Sequence, residues 1–145
     1  MLARSVDAEF LNRIVNHEST EGGRLGLKDL DLTEVVANPD NVFLANEFGG
    51  FLFVKDGDVY EVHSNFTPEG RGARAFKAAQ EAAFFMFTET PCLAIRTLVP
   101  KANVAAYALT KKMGFSQWGD TEVNGHECRM FMLTIKEWCR RLKCR

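Results

Sequence analysis

Apolar and polar positions change their period along the chain, and each change marks an element. Between Asp7 and Asn16, the residues Phe10, Leu11, Ile14 and Val15 recur at helical spacing, and Asp7 stands where a cap belongs. Glu21-Gly22-Gly23 ends that segment. Asp31 to Asn38 predicts a second, short helix, with Thr33 as its cap and Asn38-Pro39 as its stop. From Asn41 the pattern becomes that of strands. Asn41 to Glu47 and Phe51 to Lys55 flank a glycine-bearing turn at Phe48-Gly49-Gly50, and Asp56-Gly57 signals a two-residue hairpin. Val59 to Phe66 then alternates strictly. Tyr60, Val62, Ser64 and Phe66 share one face, and Glu61, His63 and Asn65 share the other.

Thr67 to Gly72 reads as a Pro/Gly loop, and Ala73 to about Phe87 as a long helix striped by Phe76, Ala79, Ala83 and Met86. Thr90-Pro91 closes it. Cys92 to Val99 is an apolar run interrupted by Arg96. Its place after a helix predicts a strand parallel to the one before that helix. Lys101 to Met113 is a further helix, striped by Ala102, Ala105, Ala106, Leu109 and Met113 and stopped by Gly114. Ser116 to Val123 and His126 to Ile135 form a hairpin over Asn124-Gly125. The expected architecture is α+β, built on a mixed sheet within one domain over residues 1–145.

Composition narrows the function classes. A net charge of −1 lacks the strongly basic face that nucleic acid requires. Twelve Phe residues point to a thick, sheet-based core. The basic residues Lys136, Arg140, Arg141, Lys143 and Arg145 gather at the C-terminal end, as a helix end or frayed tail, or as a dock for an acidic partner. Cys92, Cys128, Cys139 and Cys144 show neither CxxC nor zinc-ligand spacing, so no metal site is expected and free thiols in a reducing compartment are. Met1 to Asp7 lacks the apolar run of a signal peptide, and Ala82 to Phe87 is too short to span a bilayer. A cytoplasmic protein without membrane partners is the expectation. Phe84-Phe85-Met86-Phe87 reads as core with one exposed contact surface; a homodimer or virion interface is the alternative.

The candidate chemistry lies where a strand turns into a helix, across Phe66-Thr67-Pro68-Glu69-Gly70-Arg71-Gly72-Ala73-Arg74-Ala75. The first turn of a helix presents unpaired N–H groups and a positive dipole end, which bind phosphate oxygens without any particular side chain. Gly70, Gly72, Ala73 and Ala75 are small enough to let a pyrophosphate approach, and Arg71 and Arg74 can add charge. A capped helix after a turn is the plain structural alternative.

With the second helix added, the chain resembles the GNAT acetyltransferase superfamily from about Val42 to Ile135. That family's strand ends in a V-x-P-E-x-R-G pattern that feeds a pyrophosphate loop, R/Q-x-x-G-x-G/A. Here Phe66 stands at the Val position, and Pro68, Glu69, Arg71 and Gly72 match. The later family segment, N-x-x-A-x-x-L-Y-x-K-x-G-F, is matched by Asn103, Ala106, Leu109, Lys112, Gly114 and Phe115. The loop departs from the pattern at Arg74 and Phe76, and the family's frequent Tyr falls at Thr110, with Tyr107 three residues earlier.

The resemblance implies a GNAT fold: a central, mostly antiparallel mixed sheet with helices on both faces. It implies acetyl-CoA as cosubstrate and a primary amine as acceptor. Phe66, Arg71, Gly72, Ala73, Arg74, Ala75 and Asn103 become the coenzyme-binding candidates. His63 is the candidate base, Glu61 the reserve base and Tyr107 the candidate acid. An amine of pKa ~10 must lose a proton before it attacks, and a His suits that task near neutral pH. Structural readings stand beside these: His63 as a hydrogen-bonded strand residue, Glu61 as a solvated one, Tyr107 as a boundary aromatic and Asn103 as a helix cap. The departures point to the alternative, a phage structural, assembly or regulatory protein that keeps the fold without the catalysis.

Overall fold

The computed structural model describes residues 1–143, so Cys144 and Arg145 lie outside the described residues. A short strand β1 (Ala3–Arg4) leads into α1 (Ala8–Val15), a 3-10 segment (Glu18–Gly23) and α2 (Thr33–Ala37). Strands β2 (Val42–Asn46), β3 (Gly49–Asp56) and β4 (Val59–Phe66) follow, then α3 (Ala73–Glu89), β5 (Ala94–Pro100), α4 (Val104–Lys112), β6 (Ser116–Val123), β7 (His126–Thr134) and α5 (Ile135–Lys143). The seven strands make one sheet in the order β1-β2-β3-β4-β5-β7-β6. Every neighbouring pair is antiparallel except β4 with β5, as the helix between them requires.

The two faces of the sheet are covered differently. On one, Leu11 of α1 and Val36 of α2 pack on Phe43 and Leu52. On the other, the small residues Ala78, Ala79, Ala82 and Ala83 let α3 lie close against Phe51, Phe53, Tyr60 and Ile95, while Met86 is fully enclosed. Trp138 of α5 closes the far side of α3, its ring centroid 5.1 Å from Phe87 and 6.0 Å from Phe84. Phe84 itself stays exposed. No helix among the described residues is long and apolar enough to cross a membrane.

Several local expectations change. Asp7 caps α1 as expected, its carboxylate accepting from the Phe10 amide at 3.0 Å. Thr33 does not cap α2: Asp31 accepts from both the amide and the hydroxyl of Thr33, which is already the first helical residue. The turn after β2 is Glu47-Phe48, fastened by the Asn46 side chain, and both following glycines belong to β3. A Cβ on Gly49 would lie 2.0 Å from the Asn65 carbonyl oxygen, so that position is glycine because β4 runs too close for anything larger. The next hairpin turns at Gly57-Asp58, one residue later than expected. α4 begins only at Val104, which leaves Ala102 and Ala105 exposed and buries Thr110. The C-terminal basic stretch is the helix α5 rather than a frayed tail as far as it is described. Cys92 and Cys128 are buried free thiols and Cys139 an exposed one. Burial pushes Cys92 up to about 11, so it stays protonated and inert.

Candidate functional site

The site begins with an interruption of the sheet. β4 pairs with β3 along its whole length, from Asp56 opposite Val59 to Gly49 opposite Phe66. It pairs with β5 only at Val59–Ala94, Tyr60–Ile95 and Glu61–Arg96. Beyond Glu61 the two strands part, because β5 stays bonded to β7 as far as Pro100 opposite Cys128. Thr67 donates to the Phe48 carbonyl at 2.9 Å, which fixes the alternation of the ladder: Asn65, His63 and Glu61 bond toward β3. The main-chain groups of Val62, Ser64 and Phe66 therefore aim toward β5, into the gap.

A cavity of about 50 Å³ fills that gap on the α3 face. Val62 and Ser64 of β4, Ile95 and Thr97 of β5, Ala79, Ala82 and Ala83 of α3, and Leu109, Thr110 and Met113 at the end of α4 line it. Ser64 is exposed, so water reaches the unpaired edge of β4. The Thr110 hydroxyl is already used, donating to the Ala106 carbonyl at 2.7 Å.

The start of α3 opens beside the end of β4. Gly72 caps the helix with φ 72° and ψ −132°, a left-sided conformation that glycine adopts without strain, and no side chain caps the first turn. The first amide with a protein acceptor is that of Phe76, bonded to the Gly72 carbonyl at 3.0 Å. Among the described residues, the N–H groups of Ala73, Arg74 and Ala75 keep no protein acceptor. The neighbouring guanidinium groups are committed to main-chain carbonyls. Arg71 donates to Phe66 at 3.2 Å and Ser19 at 2.6 Å, tying the 3-10 segment to the end of β4. Arg74 donates to Glu69 at 2.9 Å and lies 5.0 Å over the Phe48 ring.

The opposite face of β4 carries the charged candidates. His63 pairs with Leu52, which packs on α1, so His63 and Glu61 lie on the α1 face, away from the cavity lining. Glu61 is the hub of a small network. It meets His63 Nε2 at 3.2 Å and Arg96 Nε at 3.1 Å, while Arg96 also reaches Asp56 at 3.1 Å. The hydrogen bond from His63, then its charge and that of Arg96, hold the Glu61 carboxyl below the ordinary carboxylate range despite partial burial. A carboxylate so stabilised is a weak base. The His63 side chain is 51% exposed and, among the described residues, has Glu61 on Nε2 as its side-chain partner.

The candidates on α4 divide. Asn103 is the cap, its side chain accepting from the Ala106 amide at 3.1 Å. Tyr107 packs edge-on against Phe131 at 5.9 Å, with the Arg129 guanidinium 5.0 Å over its ring, and does not line the cavity. The structure thus brings Phe66, Gly72, Ala73, Arg74 and Ala75 together at the mouth of the gap and places His63 and Glu61 across β4 from it. Ser64 and Thr97 were not candidates in the sequence. Ser64 was legible in part, since it breaks the apolar face shared by Tyr60, Val62 and Phe66.

No family model and no curated protein matches the chain. Solved structures do match in fold. A spermidine N-acetyltransferase from Vibrio cholerae, in complex with CoA and spermine, superposes with a TM-score of 0.78 at 16% identity over 96% of this chain and 97% of its own. An aminoglycoside acetyltransferase in complex with coenzyme A gives 0.75 at 14% identity over 97% of each chain. A GNAT-family acetyltransferase from Bacillus anthracis gives 0.72 at 18% identity over 94% and 96%. The fold of this chain is therefore the GNAT fold, with its mixed sheet and its helices on both faces.

Proposed function

We propose that the chain transfers an acetyl group from acetyl-coenzyme A to a primary amine. The observation that carries this reading is the parting of β4 from β5 beyond Glu61 and Arg96, next to the uncapped start of α3. The amides of Ala73, Arg74 and Ala75 supply donors and a positive dipole end for a pyrophosphate. The unpaired edge of β4 supplies main-chain partners for the amides of the coenzyme's arm. The thioester then lies in the gap, where the Phe66 and Ser64 N–H groups can take up charge developing on its oxygen. The matched acetyltransferase structures that hold CoA support the choice of coenzyme, and the amines in their descriptions support an amine acceptor.

In the reaction the amine nitrogen bonds to the thioester carbon, the carbon–sulfur bond breaks, and one proton leaves the nitrogen while the thiolate gains one. His63 is the base. Glu61 accepts from His63 Nε2, which fixes the tautomer and leaves Nδ1 to take the proton. Glu61, held ionised by its bonds to His63 and Arg96, orients the ring rather than acting as base. Tyr107 is the candidate acid for the thiolate, since the Thr110 hydroxyl already donates to a carbonyl.

A second reading keeps the fold without turnover, as in a regulatory or phage assembly protein. It is favoured by the packing of Tyr107 against Phe131 and by the commitment of Arg71 and Arg74 to carbonyls. Thermal melting with acetyl-CoA and desulfo-CoA, followed by thiol release across a panel of amines, separates the two. Catalysis requires both a rise in melting temperature and release that depends on amine, and is lost in His63→Ala. A rise without release leaves a binding protein without turnover, and no rise at millimolar coenzyme removes the acetyltransferase reading.

A further inference from the structure

The charged side of β4 has a cover of its own. The 3-10 segment, Glu18–Gly23, packs on both β4 and β5, the two strands that part. It lies on the α1 face, because the Thr20 hydroxyl donates to the Ile14 and Val15 carbonyls at the end of α1. Its flanks are held on opposite sides of the opening. On one side the Ser19 carbonyl accepts from Arg71, which also holds Phe66 at the end of β4. On the other, just beyond the segment, Gly26 abuts the His126 ring at the start of β7, where an added Cβ would lie 3.3 Å from Nε2. The segment thus bridges the opening on the face that carries His63 and Glu61, while the cavity lies on the α3 face. An amine that reaches the gap from the His63 side passes beside it.

Arg24 ends this segment, between the two holding points. Its main chain is fixed, the amide donating to the Glu21 carbonyl and the carbonyl accepting from Leu27, each at 3.1 Å. Its side chain is half-buried and unsatisfied. Among the described residues, Nε is buried without an acceptor and no carboxylate forms an ion pair with the guanidinium. Arg96 is the contrast, held by both Asp56 and Glu61. A dry N–H without an acceptor has lost its water for nothing, and a half-buried cation without a counter-charge adds to that cost. An oxyanion on the guanidinium removes both costs. Nε and one Nη present parallel N–H groups at the spacing of two carboxylate oxygens.

We propose that the acceptor is an amine that also carries a carboxylate, as an amino acid does, and that Arg24 holds the carboxylate while His63 takes the proton from the amine. The inference rests on the acetyltransferase reading above and names the acceptor class of the same site. The coenzyme's pyrophosphate does not fill this role, since its donors are the amides at the start of α3. An amine without an anion leaves Nε as it stands in the free protein, dry and unpaired. The carboxylate therefore sets acceptor choice, and Arg24 is the residue that reads it.

The test measures thiol release from acetyl-CoA with acceptors matched in length, using the full chain and two variants. Glycine, β-alanine and γ-aminobutyrate are set against ethylamine, propylamine and butylamine, with ethylenediamine as the cationic arm and O-phosphoethanolamine as the phosphate arm. In the parent, the carboxylate member of at least one pair should win in kcat/KM by roughly 10- to 150-fold, the worth of a hydrogen bond to a charged group expressed as a ratio. Arg24→Lys keeps the charge without the fork and should lose part of that ratio. Arg24→Met keeps the hydrocarbon stem and removes the unpaired donor, so the ratio should fall toward one while the melting temperature does not fall. Plain amines that do as well in every pair, a preference for the diamine or the phosphate, or a ratio that Arg24→Met leaves in place overturns the carboxylate and leaves the acetyltransferase reading intact. A clear loss of stability in Arg24→Met, or its failure to fold, also overturns it, because an unpaired guanidinium cannot be holding the fold. No release with any amine removes the acetyltransferase reading and this inference with it.

Discussion

Replacing Ala73 by proline isolates the phosphate-binding role of the α3 N-terminus from its structural role. Ala73 is the first helical residue, exposed, and its N–H has no protein acceptor among the described residues. Proline is favoured at that position, because its fixed φ suits the helix and the missing N–H was unpaired already. The residue before a proline must be extended. Gly72, at φ 72° and ψ −132°, holds the mirror image of that extended conformation, which glycine can keep beside a proline ring. The folded protein therefore loses nothing, and the stiffer unfolded chain adds roughly 0.4–1 kcal/mol of stability. Binding behaves oppositely. One hydrogen bond to a charged phosphate is worth about 1.5–3 kcal/mol, so Ala73→Pro weakens acetyl-CoA binding by roughly 10- to 150-fold. Calorimetric titration with CoA, beside a chemical denaturation curve for each protein, reads both effects. An unchanged Kd in a fully folded variant refutes the assignment of these amides to the pyrophosphate. A loss of stability above 1 kcal/mol refutes the claim that the Ala73 N–H is unpaired.

Four further substitutions follow from the same geometry. Gly49→Ala places a Cβ 2.0 Å from the Asn65 carbonyl and should cost at least ~3 kcal/mol, whereas Gly72→Ala meets open space and costs only the ~1 kcal/mol of its left-handed backbone; denaturation midpoints compare them directly. Glu61→Gln should destabilise by about 1–2 kcal/mol at pH 7, since it weakens the bonds to His63 and Arg96. The Glu61 carboxyl is held below its ordinary 4.5, so its contribution is complete above that value and disappears as pH falls through the lower, folded one; stability curves of parent and variant should converge only once the pH is below the ordinary carboxylate range. Trp138→Ala removes the ring that covers Phe84 and Phe87 and should cost ~2–3 kcal/mol, read as a lower urea midpoint at an unchanged slope.

Local order was readable wherever one period ran undisturbed. β4 was found to the residue because its alternation is strict, and α1 because Asp7 caps an unbroken helical stripe. In α4 the stripe keeps Leu109 and Met113, loses Ala102 and Ala105 to solvent and gains Thr110, because the helix starts only after its Asn103 cap. α5 stays undecided in the sequence between a helix end and a frayed tail, although Ile135, Trp138 and Leu142 keep helical spacing, because it follows β7 with no intervening breaker and its basic residues dominate the composition. The roles of Arg71 and Arg74 were beyond reach. A guanidinium near a glycine loop looks the same in sequence whether it awaits a phosphate or already holds Phe66, Ser19 or Glu69.

The gap itself has no local signal, and the pairing of the sheet says why. Cys92 to Val99 is as apolar as any strand zipped on both sides. What separates it from β4 is competition between neighbours. β4 is bound to β3 at eight positions and β5 to β7 at seven, while only three pairs join β4 to β5. The sheet is thus two stiff halves hinged at Tyr60 and Ile95, and the twist of each half carries the strands apart beyond the hinge. Each unmade ladder bond would be costly if buried, but Ser64 is open to water, so the free edge of β4 is solvated rather than stranded. That makes the edge exchangeable: water holds it until a ligand with amides and an anionic end replaces the water. The donors at the start of α3 are in the same condition for the same reason. One strand running past its partner leaves both sets of main-chain groups facing one opening, and a ligand long enough to reach both gains from both.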